Sequence, residues 1–323
     1  MSSPPPPAAS PSRLAPPSPT QPDEARSQIV EADSQSGHSS TAENFLPLPQ
    51  RRQRSRPPRI PTHPRQPLPP KQALLRSPPS PPGTGTGNWA IEMGDLYPTG
   101  LIEATDLSPI QPSAVPANVQ FIIDDAEQAD WAIPENHYDF VHTRILEGCF
   151  LDMGAVIATA FKHTKPGGYL ECQELNPPPH CDDGTMPPDW PFLRYVEKLQ
   201  EASLEIGREL DIAPKLRGWF EDAGFVDVQQ RVFKVPLGRW PKDPTMKDLG
   251  HWWAENMSVG LAAFSLAYFS RVLGWSTEEI ELYLVDVRKS LTDRDVHAYH
   301  RMYVVWGRKP EVGEVVPGRA PAA

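Results

Sequence analysis

A glycine run, Gly83-Thr84-Gly85-Thr86-Gly87, divides the chain into two parts, and this division limits what the chain can fold into. The chain has 323 residues and 41 prolines, of which 22 precede residue 83. That first part shows no hydrophobic periodicity, and its composition cannot offset the entropy of ordering a backbone, roughly 1–2 kcal/mol per residue. We therefore expect residues 1–82 to be disordered and the core to lie after them.

Short apolar segments alternate with helical patterns immediately after the glycine run. The strand-like segments are 100–105, 119–123, 138–142 and 169–173, and the helical patterns cover 88–96 and the region around 145–161. Such alternation is typical of a parallel sheet with helices on both faces. The sequence therefore predicts an α/β fold.

The later residues are more helical. Helical patterns cover 190–210, 214–223, 243–273 and 276–291, whereas 225–235 and 303–306 have strand patterns. Because the helical pair lies between two late strands, we expect residues 243–291 to form a helical cap inserted into the sheet topology. The folded domain is then expected to cover 83–310, followed by a disordered tail, 311–323.

Charge and cysteine content exclude several classes of protein. The net charge of −10 and the pI of about 5.4 argue against nonspecific binding of nucleic acid by the whole chain. Cys149, Cys172 and Cys181 are odd in number and lack metal-ligand spacing, so we expect no metal site and reduced thiols. With no secretory signal pattern and no apolar run of about 18 residues, we expect an intracellular protein, cytoplasmic or nuclear, without a membrane span.

The glycine run has the spacing G-x-G-x-G and opens a helical pattern. Glycine lets a backbone approach a ligand closely, and a helix amino terminus offers free N–H groups. A dinucleotide site would need G-x-G-x-x-G, but residue 88 is Asn. The spacing favours a nucleoside ligand without a pyrophosphate, its amino-acid part lying beside Gly83, Gly85 and Gly87; a loop with no ligand is the alternative.

Acidic residues follow the next two strand-like segments. Asp106 ends the first of these segments, 19 residues after Gly87. A carboxylate there can accept hydrogen bonds from both ribose hydroxyls; the alternative is a turn or helix-cap aspartate. Asp124, Asp125 and Ala126 follow the second segment, where a carboxylate and a backbone N–H can read an adenine ring, and we favour Asp125 with Ala126 over ordinary loop acids.

His142 lies at the end of the strand-like segment 138–142. Ligands in open α/β sheets bind beyond the carboxyl ends of the strands, so His142 and Arg144 should face the reaction zone. His142 is therefore the candidate catalytic residue, able to take a proton from a substrate. A structural histidine is the alternative.

Four tracts of the chain resemble one known family. They are GTGTGNWAIEMGDLYP, ATDLSPIQPSAVPANVQFIIDDAE, YDFVHTR and KPGGYLECQE, and they resemble the fungal methyltransferase family that includes the velvet-complex regulator of secondary metabolism. The resemblance implies a Rossmann-like class I fold, S-adenosylmethionine as cofactor, and methyl transfer to an unassigned small-molecule or protein acceptor. It places the cofactor loop at 83–87, the ribose acid at Asp106, and the adenine-side acids at Asp124 and Asp125.

The chain departs from that family just before the glycine run. Members have an apolar strand that ends in an acid and a glycine, whereas this chain has Arg76-Ser77-Pro78-Pro79-Ser80-Pro81-Pro82. Proline is excluded from central strands, and the apolar fragment Gln72–Leu75 is short, so we expect the first central strand to be missing. Two explanations follow: a truncated or mis-joined gene product, or an impaired relative that acts as an interaction module.

Overall fold

The structure is a computed structural model that describes residues 72–75, by their backbone, together with 84–129 and 131–314. Seven strands in this part of the chain form one sheet. They are β1 (Gln72–Leu75), β2 (Leu101–Asp106), β3 (Val119–Ile123), β4 (Tyr138–Arg144), β5 (Thr164–His180), β6 (Val226–Pro236) and β7 (Tyr299–Arg308).

Six α-helices accompany the sheet in the described residues. They are α1 (Asn88–Leu96), α2 (Met153–His163), α3 (Pro191–Glu205), α4 (Leu216–Ala223), α5 (Pro244–Ser265) and α6 (Thr277–Ser290). A 3-10 turn, Ala213–Lys215, leads into α4, and a π-helical segment, Leu266–Ser270, extends α5. None of these helices is long and apolar enough to cross a bilayer.

The strand order is β3-β2-β1-β4-β5-β7-β6. Strands β1 to β5 pair in parallel, whereas β7 runs antiparallel to both β5 and β6. This is the class I arrangement that the family resemblance implies, and it confirms the predicted α/β fold. The carboxyl ends of β1, β2, β3 and β4 therefore meet at one edge of the sheet.

Helices cover both faces of the sheet, as the sequence predicts. Successive strand residues point to opposite faces, and the core clusters follow this rule along β5. Leu170 and Cys172 pack in one cluster with α2 and α4. Leu175, which has the opposite parity, packs in another cluster with residues of α5.

The expectation that the first central strand is missing is wrong. Gln72–Leu75 forms β1 between β2 and β4, with Ala73 in register with Ile102 on one side and Phe140 on the other. A parallel ladder is made by backbone N–H and C=O groups, which any non-proline residue supplies. Four residues therefore suffice to fill the slot, although their apolar content alone predicts no strand.

The disorder predictions fall mostly on residues that the structure does not describe. Strand β1 lies inside the segment 1–82 that was predicted to be disordered, and the rest of that segment lies outside the described residues. The same holds for the predicted tail, 311–323, beyond residue 314.

The helical cap is divided differently from the predicted pattern. Asp243 begins α5 by accepting a hydrogen bond from Met246 N at 2.9 Å, and Ser276 and Glu279 form the predicted capping box of α6. Helix α5, however, ends at Ser265 and not near Leu273. The π-helical segment that follows places the fully buried Phe269 in a second core shared with α3 and α6.

We predict that Ala73→Pro unfolds or strongly destabilises the domain. Proline removes a backbone donor from a strand paired on both sides. We expect the free energy of unfolding to fall by about 3 kcal/mol. Each kcal/mol lost lowers the thermal midpoint by roughly 2–4 °C. Thermal unfolding followed by circular dichroism measures this, with Ala73→Ser as the control that keeps the N–H. Equal midpoints for the two variants would show that β1 does not hold the sheet together.

Candidate functional site

The glycine run ends in a conformation that only glycine accepts easily. Gly87, the residue before α1, has φ of 78°, in the left-handed region, and Gly87 N donates to Thr84 O at 2.8 Å. A Cβ atom at Gly87 would lie 2.3 Å from Cζ of Phe121 on β3. The loop therefore lies directly against the neighbouring strand. Gly85 is also described, with φ of 50°, whereas Gly83 lies outside the described residues.

Asp106, the last residue of β2, fastens the glycine loop to the edge of the sheet. Its Oδ2 accepts a hydrogen bond from Gly85 N and its Oδ1 one from Ser108 N, both at 2.9 Å. Gln111 Nε2 donates to Gly85 O, also at 2.9 Å. Asp106 is only 5% exposed, and burial raises the pKa of its carboxyl despite the backbone N–H groups that oppose the shift. Each oxygen of a carboxylate has two lone pairs, so further donors can still bind.

Asp124, Asp125 and Ala126 form a turn beside Asp106. Asp124 N donates to the backbone oxygen of Asp106 at 3.2 Å, which brings the ends of β2 and β3 together. Asp125 N donates to Oδ1 of Asp124, and Asp125 Oδ1 accepts from Glu127 N, both at 2.9 Å. These contacts suit an ordinary turn as well as a ligand site. Asp124 and Asp125 lie at the same edge of the sheet as Asp106.

His142 is a buried residue of β4 held by its neighbours. Its side chain is 2% exposed, its ring lies flat against the ring of Trp89 on α1 at 4.4 Å, and its Nδ1 is 3.1 Å from Oε1 of Glu171. Gln173 Nε2 donates to the same oxygen at 2.9 Å. The Nε2 atom of His142 has no hydrogen-bond partner among the described residues. His142 therefore joins β4, β5 and the helix that follows the glycine loop.

A second acidic group lies just after the end of β4 and within the neighbouring part of β5. Glu174 is fully buried and accepts a hydrogen bond from Leu146 N at 2.6 Å. Its other oxygen, Oε1, and Oε2 of Glu147 are both sealed from solvent, and apart from a hydrogen bond between the two carboxyls neither has a partner in the part of the chain that the structure describes. We call Glu147 and Glu174 the carboxyl pair.

Burial is the main cause that changes the pKa values of the carboxyl pair. Burial raises the pKa of Glu147 to about 7. Burial, and then the charge of Glu147, raises the pKa of Glu174 well above its ordinary value. A single proton held between the two carboxyls would serve both of the oxygens that lack a donor.

A strained turn after β4 builds the carboxyl pair. Ile145 has φ of 54°, which is unusual for a β-branched residue, and its N–H donates to Gln173 O at 2.8 Å. The turn brings the next N–H, that of Leu146, onto Glu174. Such backbone strain persists only where the surroundings enforce it. The sequence signal for the pair is an acid after each of two predicted strand segments, 138–142 and 169–173.

Charged and titratable groups from several elements surround the carboxyl pair. Tyr268, on the π-helical segment of the cap, places its hydroxyl 3.5 Å from Gly148 O. Burial raises the pKa of the Cys149 thiol, and the negative charges of Glu147, Glu174 and Asp106 raise it further.

Two arginines lie near the carboxyl pair. Arg208, after α3, donates to Cys149 O and pairs with Glu127. Burial lowers the pKa of Arg144, at the end of β4, and the charge of Glu174 opposes that shift.

Comparison with known proteins identifies the class. A methyltransferase-domain family matches residues 82–230. Methyltransferase pytC of Aspergillus terreus is 42% identical over 229 residues, which cover 71% of this chain and 70% of that protein. Two further relatives are the secondary metabolism regulator LAE1 of Cochliobolus heterostrophus, 33% identical over 71% of this chain and 75% of that protein, and the protein-methionine methyltransferase laeA of Emericella nidulans, 32% identical over 71% and 61%.

The fold and the matched domain define a class I, S-adenosylmethionine-dependent methyltransferase. The chain belongs to the fungal methyltransferase family whose members include pytC and the LAE1 regulator of secondary metabolism. The family resemblance stated from the sequence is thereby confirmed.

We predict that Gly87→Ala destabilises the domain. An L-residue in the left-handed region costs roughly 1–2 kcal/mol, and the added Cβ would also collide with Phe121. Chemical denaturation measures the loss. Gly218→Ala is the matched control, because its Cβ meets nothing within 4 Å on α4 and alanine favours a helix. A loss no greater for Gly87→Ala than for the control would contradict this account of the loop.

We also predict that the carboxyl pair makes the protein less stable as pH rises. The pKa of Glu147 is raised from 4.5 to about 7, so the folded state between these values holds a proton that the unfolded state has released. The free energy of unfolding should therefore fall with rising pH across this window, by about 1.4 kcal/mol per unit of pKa difference at most. Glu147→Gln should flatten the fall, whereas Glu201→Gln, on the exposed side of α3, should not. Denaturation curves at several pH values test this, and an unchanged slope in Glu147→Gln would refute it.

Proposed function

We propose that Gly83, Gly85, Gly87, Asp106 and the turn Asp124–Ala126 bind S-adenosylmethionine, and that the chain transfers its methyl group to a small-molecule or protein acceptor. In this assignment Asp106 binds the ribose hydroxyls. The Asp125 carboxylate and Ala126 N–H bind the adenine, and the glycine loop lies beside the amino-acid part of the cofactor.

The hydrogen bond from Gly85 N to Asp106 Oδ2, at 2.9 Å, is the observation that carries the assignment. It joins the two features that a nucleoside needs, a close-approach loop at a helix amino terminus and a carboxylate at the end of the next strand. Asp106 is also buried with a raised pKa and has lone pairs to spare. A buried acid in this state gains from hydroxyl donors, so the residues present fit the cofactor.

His142 serves, in this proposal, as a positioning residue, and its assignment as the catalytic base stays a prediction. Its side chain is 2% exposed, and its ring stacks on that of Trp89. Because Trp89 follows the glycine loop at the start of α1, His142 fixes the helix whose amino terminus faces the cofactor.

The acceptor and the compartment belong to the proposal as well. One relative carries the name of a protein-methionine methyltransferase and another that of a regulator of secondary metabolism, so both protein and small-molecule acceptors connected with fungal secondary metabolism are candidates. Cys149, Cys172 and Cys181 form no disulfide with one another, which suits a reducing compartment, the cytoplasm or nucleus.

A non-catalytic interaction module is the second candidate function, and one sequence feature favours it. No acid occurs between Leu75 and Gly83, whereas family members have one there, which would hold the methionine amino group. Calorimetry separates the two functions. If a folded sample gives no heat with either S-adenosylmethionine or S-adenosylhomocysteine, the enzyme assignment fails for this chain.

We predict that Asp106→Ala weakens binding of S-adenosylmethionine by about 1–3 kcal/mol, the cost of removing a buried, hydrogen-bonded partner. Titration calorimetry measures it at constant pH and salt. Asp95→Ala is the control, because Asp95 lies exposed on α1 in the same part of the domain. Equal affinities for the two variants would show that Asp106 does not bind the ribose.

A further inference from the structure

We propose that Gln111, in the segment after β2, positions the glycine loop for the amino-acid part of S-adenosylmethionine. The inference rests on the proposed function, in which the glycine loop lies beside that part of the cofactor. Gln111 acts through Gly85 and does not itself touch the cofactor, so it is a positioning residue.

Gly85 is held from two directions by the segment that follows β2. Gly85 N donates to Oδ2 of Asp106 at 2.9 Å, and Gly85 O accepts from Nε2 of Gln111 at the same distance. Gln111 comes 26 residues after Gly85, so the contact joins distant parts of the chain. Together the two bonds fix both backbone polar atoms of Gly85, whose φ of 50° lies in the left-handed region.

The contact requires an amide side chain at position 111. Nε2 of Gln111 donates to Gly85 O at 2.9 Å and to Ser108 O at 3.0 Å. Both partners are carbonyl oxygens, which only accept, so the nitrogen of the amide and not its oxygen must face them. The amide has two N–H groups, and both are used. An ionised glutamate has nearly the same size but no hydrogen to donate to either oxygen.

The residues around Gln111 constrain its backbone. Pro109 lies two residues before it and Pro112 directly after it. Proline fixes its own φ, and a residue that precedes a proline is restricted to extended conformations. Ser108 N donates to Oδ1 of Asp106 at 2.9 Å, which ties the start of the segment to the end of β2. Gln111 therefore reaches the glycine loop from a constrained segment.

The sequence on the other side of the glycine loop offers fewer groups that could hold it. Four of the seven residues 76–82 are prolines, which have no backbone N–H to donate, and the segment contains no acid. The described hydrogen bonds that reach the loop from other elements come from Asp106 and Gln111. The loop is therefore positioned from its downstream side.

This arrangement predicts a selective loss of affinity. Without the bond from Gln111, Gly85 O loses its partner and the loop can shift, while Asp106 and the turn Asp124–Ala126 keep their own contacts. 5′-Methylthioadenosine contains the adenine, the ribose and the sulfur of the cofactor but not its amino-acid part. Loss of the Gln111 bond should therefore weaken binding of S-adenosylhomocysteine and spare binding of 5′-methylthioadenosine.

Titration calorimetry of the full-length chain with these two compounds tests the proposal. We expect Gln111→Glu to weaken binding of S-adenosylhomocysteine by about 10-fold, or about 1.4 kcal/mol, and to change the affinity for 5′-methylthioadenosine by less than about 2-fold. Gln111→Ala should give the same pattern without an added charge. Gln229→Glu, at an exposed position on β6, is the matched control and should bind both compounds as the wild type does.

Asp106→Ala gives the contrasting pattern, because both compounds contain the ribose and both should bind more weakly. Unchanged affinity for S-adenosylhomocysteine in either Gln111 variant would overturn the proposal. An equal loss for both compounds, or failure of both variants to fold in thermal unfolding, would assign Gln111 a purely structural role and overturn it as well. A wild type that binds neither compound would instead refute the proposed function.

Discussion

The two-sided backbone pairing of β1 is the constraint on which the rest of the structure depends. Four residues join the β3-β2 half of the sheet to the half that contains β4, β5, β7 and β6, and among the described strands β1 alone pairs with both halves. The glycine loop and Asp106 belong to the first half, whereas the carboxyl pair belongs to the second. The position of the glycine loop and Asp106 relative to the carboxyl pair therefore depends on how β1 pairs, together with the stacking of Trp89 on His142.

The sequence predicts the elements whose signals are local. The bounds of α1 and β3 follow from a glycine before a helical pattern and from an uninterrupted apolar run, and the Ser276 capping box needs only residues three apart. The sequence does not predict β1, because the position between β2 and β4 is held by backbone hydrogen bonds, which need no particular side chains. It also fails for the end of α5, where packing of Phe269 in the cap core outweighs the continuing helical pattern.

The candidate site likewise has a part that the sequence predicts and a part that it does not predict. Asp106 is predictable because its spacing from the glycine loop is fixed by one helix and one strand. The carboxyl pair cannot be predicted in this way, because it depends on the left-handed backbone conformation of Ile145. The residues around Ile145 give no sequence signal for such a turn. His142 lies on β4 as predicted, although the strand continues to Arg144, and its contacts with Trp89 and Glu171 come from α1 and β5, which are distant in sequence.

The π-helical segment Leu266–Ser270 has a consequence for how such a domain diversifies. A π turn accommodates one residue more than an α turn, so it is equivalent to a single insertion within a helix. Gain or loss of one residue there rotates the following side chains by about a quarter turn, since successive helical residues are roughly 100° apart. Tyr268 would then leave the backbone beside Glu147 and another side chain would replace it. A change of length in this segment alone can therefore exchange the side chain that faces the backbone beside Glu147, while the sheet and the glycine loop keep their structure.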